Sequence, residues 1–405
     1  MKNRIFISMH YLEIGGAESA LIGMLQSIDY TRYDVDLFLH AHRGEMMRFI
    51  PAEVNLLPEI KAYAHIECSM KQALLDGCWG VFYGRLKAKW QFRNYLRRRG
   101  LSESAASFQY IADCVSPFLP DLHKYGEYDL AISFLNPHNY VIDKVLAKKK
   151  ICWIHTDYTR IDINVEQELP VWSAYDHVIS ISPDVTKTFL QVFPSLKDKI
   201  LEMENILSSV FVRSRADENL NVNEDESGKV VRLLSVGRFS DAKNYDNIPD
   251  ICRRINASLF TLHSSLSVRW YLIGYGDLEG FIRQKIKEAG MEEYVIILGK
   301  RTNPYPYIKA SDLYVQPSRY EGKSVTVREA QMLCKPVVVT NYATAPSQIH
   351  DGIDGRIVPM DNEGCAKGIA DFILDKELQE RIVDYLQTHD YGNEKEIDKL
   401  YKIVS

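Results

Sequence analysis

Two glutamates eight residues apart, Glu321 and Glu329, enclose a short loop and the start of a helix in YEGKSVTVREAQMLCKPVVVTN. Gly322, Lys323 and Ser324 follow the first glutamate. In that place between a strand and a helix their amides can face a phosphate or a sugar. Glu329 falls on the helix, where a carboxylate can accept two ribose hydroxyls. Upstream, Arg238 and Lys243 stand five residues apart in SVGRFSDAKNYDN, on a loop that follows a strand and leads into a helix. Two cations at a helix start suit a diphosphate, because side-chain charge and helix dipole act together. Taken alone they read as two solvated charges. Gly15 and Gly16 lie between the first strand and the first helix, either as a second anion-binding turn or as a plain turn.

Two nucleotide signatures fail. The glycines at 15 and 16 do not make GxGxxG, so the dinucleotide fingerprint is absent. A Walker A loop needs glycine five residues before Gly322, and that position is Pro317. Asp34-Val35-Asp36 has the form of a metal-binding Asp-x-Asp, but it opens an apparent strand, YDVDLFL, and reads as a strand edge.

The elements that carry these residues alternate. RIFISM, VDLFLH, DLAISFL, KICWIH and HVISIS read as strands separated by helical stretches. Residues 208–229 are polar and acidic without periodicity and read as a linker. The alternation then restarts with VVRLLSVG, RWYLIG, YVIILG, DLYVQP, PVVVT and GRIVP, with helices at 278–289 and 325–333. Such alternation implies parallel strands with crossover helices, the doubly wound α/β class. The expected organisation is a first domain at 1–207, a second at 208–385, and a terminal helical piece at 386–405 that packs back on the first.

At 405 residues, with 46% hydrophobic and 25% charged residues, the chain is that of a folded multidomain protein, not a disordered or collagenous one. The apolar start IFISM is too short for a signal peptide, and no apolar run approaches a membrane span. Seven cysteines, odd in number, widely spaced and without CxxC, argue against a disulfide framework or zinc knuckle and fit a reducing, cytoplasmic compartment.

The second half resembles the retaining glycosyltransferases of the GT-B fold, family 4, most clearly over 230–360. EGKSVTVREAQMLCKP, GRFSDAK and IGYGDLEG carry the likeness. The resemblance implies two Rossmann-like domains facing a central cleft and transfer of a hexose from a nucleotide sugar. The donor would be UDP-linked by family base rate, and the bond formed alpha-glycosidic. It implies that Arg238 and Lys243 hold the donor diphosphate, that Glu321 grips the sugar, and that Glu329 grips the ribose. Gly274 belongs to the loop similar to the family's VGxGP, and Arg301 lies in the segment running past the nucleobase. In the first half, GGAE looks like the family's glycine loop, and His155, after a strand in WIHTDY, matches its active-site histidine. EGKS departs from the family's frequent EGFG, as in a subset of capsule and exopolysaccharide transferases. Lys323 is thereby left to meet phosphate or acceptor. The resemblance also implies that no metal or other cofactor is required. A nucleotide-sugar epimerase and a non-catalytic partner subunit on the same fold are the alternatives. The first lacks the EGKS...RE pattern, and the second would have lost Glu321, Glu329, Arg238 or Lys243.

The net charge of -5 averages unlike parts. Residues 71–100 hold eight cations and one acid, a net +7, leaving -12 on the remainder. Within 81–99, Phe82, Leu86, Trp90 and Leu96 project to one broad face, interrupted by Lys89 and Arg93. An anionic membrane surface is the leading partner, which fits a lipid-linked or glycan acceptor and a peripheral place on the inner face of the cell membrane. A solvated helix packed on the domain is the alternative. No nucleic-acid motif accompanies the charge, so no nucleic-acid partner is expected.

Overall fold

In the computed structural model the described residues are 2–13, 15–159, 161–218, 229–262 and 265–404. They divide into two compact units, one of Met1–Leu207 with Asn393–Ser405 and one of Ser208–Gly392.

The first unit is built on seven parallel strands: β1 (Asn3–Met9), β2 (Tyr33–Leu39), β3 (Asn55–Leu56), β4 (Tyr128–Ser133), β5 (Ala147–Ile154), β6 (His177–Ser180) and β7 (Ile200–Glu202). Their order is β3-β2-β1-β4-β5-β6-β7. β1 is buried from Ile5 to Met9, as expected of a central parallel strand. β3 and β7 are absent from the sequence reading because runs of two or three residues leave no period. The chain reverses its winding between β1 and β4, so that pair is the topological switch point, where open α/β sheets hold their ligands.

The second unit repeats the scheme with β8 (Val230–Val236), β9 (Ser267–Ile273), β10 (Val295–Gly299), β11 (Leu313–Gln316), β12 (Val337–Thr340) and β13 (Arg356–Val358), in the order β10-β9-β8-β11-β12-β13. Here the switch point lies between β8 and β11. Trp270, Ile251, Ile255, Leu272 and Ile369 are among its fully buried core residues. The expected helices at 278–289 and 325–333 are present as Glu279–Glu288 and Val325–Met332.

Two boundaries differ from expectation. The first part of the expected linker is a helix, Ser209–Ala216. The Ser208 hydroxyl caps it by accepting from the Phe211 amide, and Val212 and Ala216 are buried. Residues 219–228 of that linker lie outside the described residues. At the other end, helix Lys376–Thr388 buries Leu378, Ile382 and Leu386 in the second unit's core, so the return to the first unit falls at Asn393 instead of 386. The last helix, Ile397–Val404, buries Ile397, Leu400 and Ile403. There the Tyr401 ring stacks on Tyr33 at 4.6 Å, its hydroxyl accepts from the Asp29 amide, and the Ile403 carbonyl accepts from Lys149.

Candidate active site

The clearest constellation stands at the β8/β11 switch point of the second unit. Arg238 and Lys243 lie on the loop leaving β8, and Ser318 to Glu321 on the loop leaving β11. Several links stitch the loops together. Lys243 Nζ donates to Glu321 Oε1 at 2.5 Å, and Asn244 Nδ2 donates to the Pro317 carbonyl at 2.9 Å. The Arg319 amide donates to the Ala242 carbonyl, and the Arg319 guanidinium forks onto both carboxylate oxygens of Asp246 at 3.0 and 2.7 Å. Asn244 takes a left-handed φ of 60°, which asparagine tolerates better than most residues.

Glu321 is held from one side only. Its Oε1 accepts from Lys243, from Ser318 Oγ at 2.6 Å and from Gln316 Nε2 at 3.0 Å. Gln316 is fixed in turn by the Tyr314 hydroxyl at 2.7 Å. Oε2 has no partner among the described residues, so the carboxylate is rigidly aimed with one oxygen to spare. Thr344 Oγ1 pins the carbonyls of Glu321 and Gly322 at 2.9 and 2.8 Å. Arg238 is exposed, and its guanidinium makes no hydrogen bond or ion pair among the described residues. A cation held unpaired beside an anchored Lys–Glu pair is a ready anion contact.

The loop Gly322–Ser324 is only partly open. Gly322 and Lys323 are exposed, but the Ser324 amide already donates to Gln348 Oε1 at 3.0 Å. Gln348 Nε2 closes the ring onto the Ser324 carbonyl at 2.6 Å. The expectation that all three amides face a ligand is corrected at Ser324: a glutamine side chain occupies that donor.

Glu329 is buried, and its Oε1 accepts from the Tyr305 hydroxyl at 2.8 Å. Burial pushes its pKa up to about 7, against the opposing effect of the Tyr305 hydrogen bond. The expected open carboxylate with two free acceptors is instead enclosed, with one oxygen engaged.

Gly274 has a backbone reason to be glycine. At φ +156°, a Cβ there would run into the Gly237 carbonyl, and at Gly276 it would lie 2.5 Å from the Phe239 carbonyl. The two loops pair through Gly237 N–H to the Ile273 carbonyl at 3.0 Å and Phe239 N–H to the Tyr275 carbonyl at 2.8 Å. Gly274 therefore sets the distance of the Arg238 loop from its neighbour. Arg301 is exposed, with Nε donating to the Tyr307 hydroxyl at 3.0 Å.

In the first unit, Gly15 precedes helix Gly16–Ser27 in extended conformation, φ -168°, which any residue adopts. His155 follows β5 directly. Its Nε2 lies 2.9 Å from the Phe134 carbonyl. A carbonyl only accepts, so Nε2 carries the proton and Nδ1 presents a lone pair. Burial pulls its pKa down to about 4, so the ring is neutral at pH 7. His155 is thus a hydrogen-bond acceptor toward a ligand and not a cation. Asp36 of the Asp-x-Asp accepts from Arg4 at 3.2 Å, Tyr128 at 2.6 Å and Asn55 at 2.7 Å, and Asp34 pairs with Lys2 at 3.2 Å. Both carboxylates are engaged by side chains of the first unit.

Several site residues escaped the sequence reading. Gln316 and Ser318 could have been found by their place after a strand at the switch point. Tyr305 and Gln348, 24 residues from their partners, leave no local signal. A second cluster, also unforeseen, follows β1: His10 Nδ1 meets Glu67 at 3.0 Å, and Glu67 also takes Arg43, which lies over the Tyr11 ring.

Residues 217–389 match the family described as Glycosyl transferases group 1. The chain is 25% identical over 177 residues to the amylovoran biosynthesis glycosyltransferase AmsD of Erwinia amylovora, covering 43% of this chain and 48% of that one. It is 28% identical over 158 residues to the N-acetylgalactosamine-N,N'-diacetylbacillosaminyl-diphospho-undecaprenol 4-alpha-N-acetylgalactosaminyltransferase of Campylobacter jejuni, covering 38% and 41%. The chain thus spans about half the length of the curated relatives it matches. Among solved structures, Anabaena Alr3699/HepE in complex with UDP superposes with a TM-score of 0.62 at 16% identity, over 99% of this chain and 98% of that one. A mutant of S. aureus TarM in complex with Fondaparinux, alpha-GlcNAc-glycerol and UDP gives 0.66 at 12% identity, over the full length of both. Likeness at these identities speaks for the fold.

Proposed function

The chain carries a glycosyl transferases group 1 domain on a GT-B fold, and from that premise we propose that it is a retaining glycosyltransferase. It moves a hexose from a UDP-sugar to a hydroxyl of a glycan or lipid-linked acceptor, forming an alpha-glycosidic bond. The observation that carries the reading is the Lys243–Glu321 pair at the β8/β11 switch point, with Arg238 exposed on the same loop as Lys243. Breaking the bond between sugar and diphosphate leaves negative charge on the diphosphate, and fixed donors aimed at that charge lower the barrier. Arg238 and Lys243 supply them, with the amide at Gly322. These two cations meet the diphosphate without a metal ion in the proposal.

Glu321 offers Oε2 to the hydroxyls of the transferred sugar. The ribose hydroxyls reach Glu329 at its second oxygen or in exchange for Tyr305. The lone pair on His155 Nδ1 suits a sugar hydroxyl, and its neutrality speaks against a phosphate contact there. Retention proceeds by front-face attack, with a departing phosphate oxygen taking the acceptor's proton. UDP draws support from the UDP complexes among the structural neighbours. A lipid-linked acceptor draws support from the diphospho-undecaprenol relative, as does a place at the inner membrane face.

The test is ligand-induced thermal stabilisation with UDP-sugars and GDP-sugars. At least one UDP-sugar is expected to raise the melting temperature of the wild type and not of Arg238→Met. Stabilisation by GDP-sugars alone, or equal stabilisation of the variant, would overturn the assignment.

A further inference from the structure

Helix Trp79–Arg99 holds seven cations and no acid. Its inner face is made of small residues: Gly84 and Ala88 are buried with Val81, and a Cβ on Gly84 would lie 2.6 Å from the Cys114 carbonyl. The helix thereby lies close along Ser107–Val115, with Phe92 and Tyr95 packed against Tyr110 at 5.9 and 5.7 Å. Arg85 also turns inward and donates to the carbonyls of His65 and Cys68.

The outer face is of another kind. Trp79, Tyr83, Leu86 and Trp90 are 65, 59, 49 and 65% exposed. Their spacing of four, three and four residues puts them within a narrow stripe along the helix. Phe118 widens the stripe by meeting the Tyr83 ring edge-on at 5.9 Å. Phe82 and Leu96 are half-buried, so the exposed apolar face is rotated from the one projected from sequence. Arg93 and Arg97 continue the stripe, and Lys87, Lys89 and Arg98 are exposed beside it, whereas Arg99 turns over the Tyr95 ring on the packed side.

We propose that this face docks on an anionic lipid bilayer, with the Trp79, Tyr83, Leu86 and Trp90 side chains in the headgroup region and the five cations Lys87, Lys89, Arg93, Arg97 and Arg98 on the lipid phosphates. Charge selects the occupant. The remainder of the chain is net acidic, so an anionic surface attracts this helix while repelling the average of the molecule. Composition is consistent with it: tryptophan and tyrosine beside basic residues suit the membrane–water interface. The proposal deepens the reading of a lipid-linked acceptor, since docking would bring the enzyme to that substrate's plane.

The test is sedimentation of the full chain with vesicles of phosphatidylcholine alone and of phosphatidylcholine with phosphatidylglycerol, at low and high salt, without donor or acceptor. Binding is expected only to the anionic vesicles and is weakened by salt. Each cation contributes roughly fivefold, so Arg93→Gln, Arg97→Gln and Arg98→Gln together lower partitioning on the order of a hundredfold. Trp79→Ser with Trp90→Ser lowers it without altering the salt dependence, and brominated lipids quench the wild type more than this variant. Absence of wild-type binding at low salt, or variants that bind as the wild type does, would overturn the proposal. So would a wild-type dimer in solution that Trp79→Ser with Trp90→Ser disperses. These outcomes leave the transferase reading untouched, because no sugar transfer is measured.

Discussion

Glu329→Gln separates stability from function. The Glu329 carboxyl is fully enclosed, and burial raises its pKa from an ordinary 4.5 to about 7. Protonated, it sits in the core without charge; ionised, it carries the cost of desolvation. The unfolded chain releases this proton near pH 4.5 and the folded chain near pH 7, so stability falls as pH rises through that window. Each pH unit costs about 1.4 kcal/mol, about 3 kcal/mol in all by pH 8. Glutamine keeps the shape and an oxygen for the Tyr305 hydroxyl but has no proton to lose. The variant is therefore expected to match the wild type near pH 4 and to exceed it by up to about 3 kcal/mol at pH 8. Urea unfolding of the unliganded protein at the two pH values measures this. The same substitution removes the carboxylate proposed to hold the ribose, so UDP-sugar affinity should drop while stability rises. Glu168 of the first unit supplies the control, since burial also raises its pKa to about 7 and Trp172 Nε1 donates to it at 3.3 Å. Glu168→Gln should gain stability at pH 8 and bind UDP-sugar normally. A Glu329→Gln variant that is less stable than the wild type at pH 8 would refute the burial argument. One that binds donor as well as Glu168→Gln does would refute the ribose assignment.

Other outcomes follow from the same geometry. Arg238→Met removes a cation without a protein partner, so turnover should fall by about 2–4 kcal/mol of transition-state stabilisation with the melting temperature unchanged. Lys243→Met leaves Glu321 short of one donor and should lose on the order of 1–3 kcal/mol of stability as well as turnover, seen by denaturation and UDP release together. Gly274→Ala places a methyl against the Gly237 carbonyl at a strained φ and should destabilise by about 1–3 kcal/mol or more. Gly322→Ala meets no atom within 4 Å and should unfold as the wild type does, with any loss confined to donor affinity. EDTA should leave transfer unchanged; abolition by chelation, restored by Mn²⁺, would remove the metal-free reading.

The legible parts of the sequence were those written in period and punctuation. Largely buried apolar runs such as VVRLLSV and VDLFL marked strands of parallel sheets, which are covered on both faces. Glu321, Arg238 and Lys243 were marked by the family resemblance, since the two cations alone read as solvated charges; the structure sets all three on loops that leave β8 and β11. What sequence hides is partnership across distance. Nothing near Ser324 announces that Gln348 takes its amide, and nothing near Glu329 announces Tyr305. The helix face at 79–90 was misjudged because projection ranks residues by hydrophobicity alone. Gly84 and Ala88 decide which side packs, since only small residues allow the neighbouring helix so close.

The central claim is tested most directly by release of nucleoside diphosphate from a panel of UDP-sugars, with lipid-linked and soluble glycan acceptors, comparing the wild type with Glu321→Gln. Glutamine at 321 can no longer pair with Lys243 or present a charged oxygen to the sugar. The account predicts acceptor-dependent release of UDP from at least one donor by the wild type, an alpha-linked product, and a variant slower by about a hundredfold or more. Release from no UDP-sugar, a beta-linked product, or a variant as fast as the wild type would contradict it.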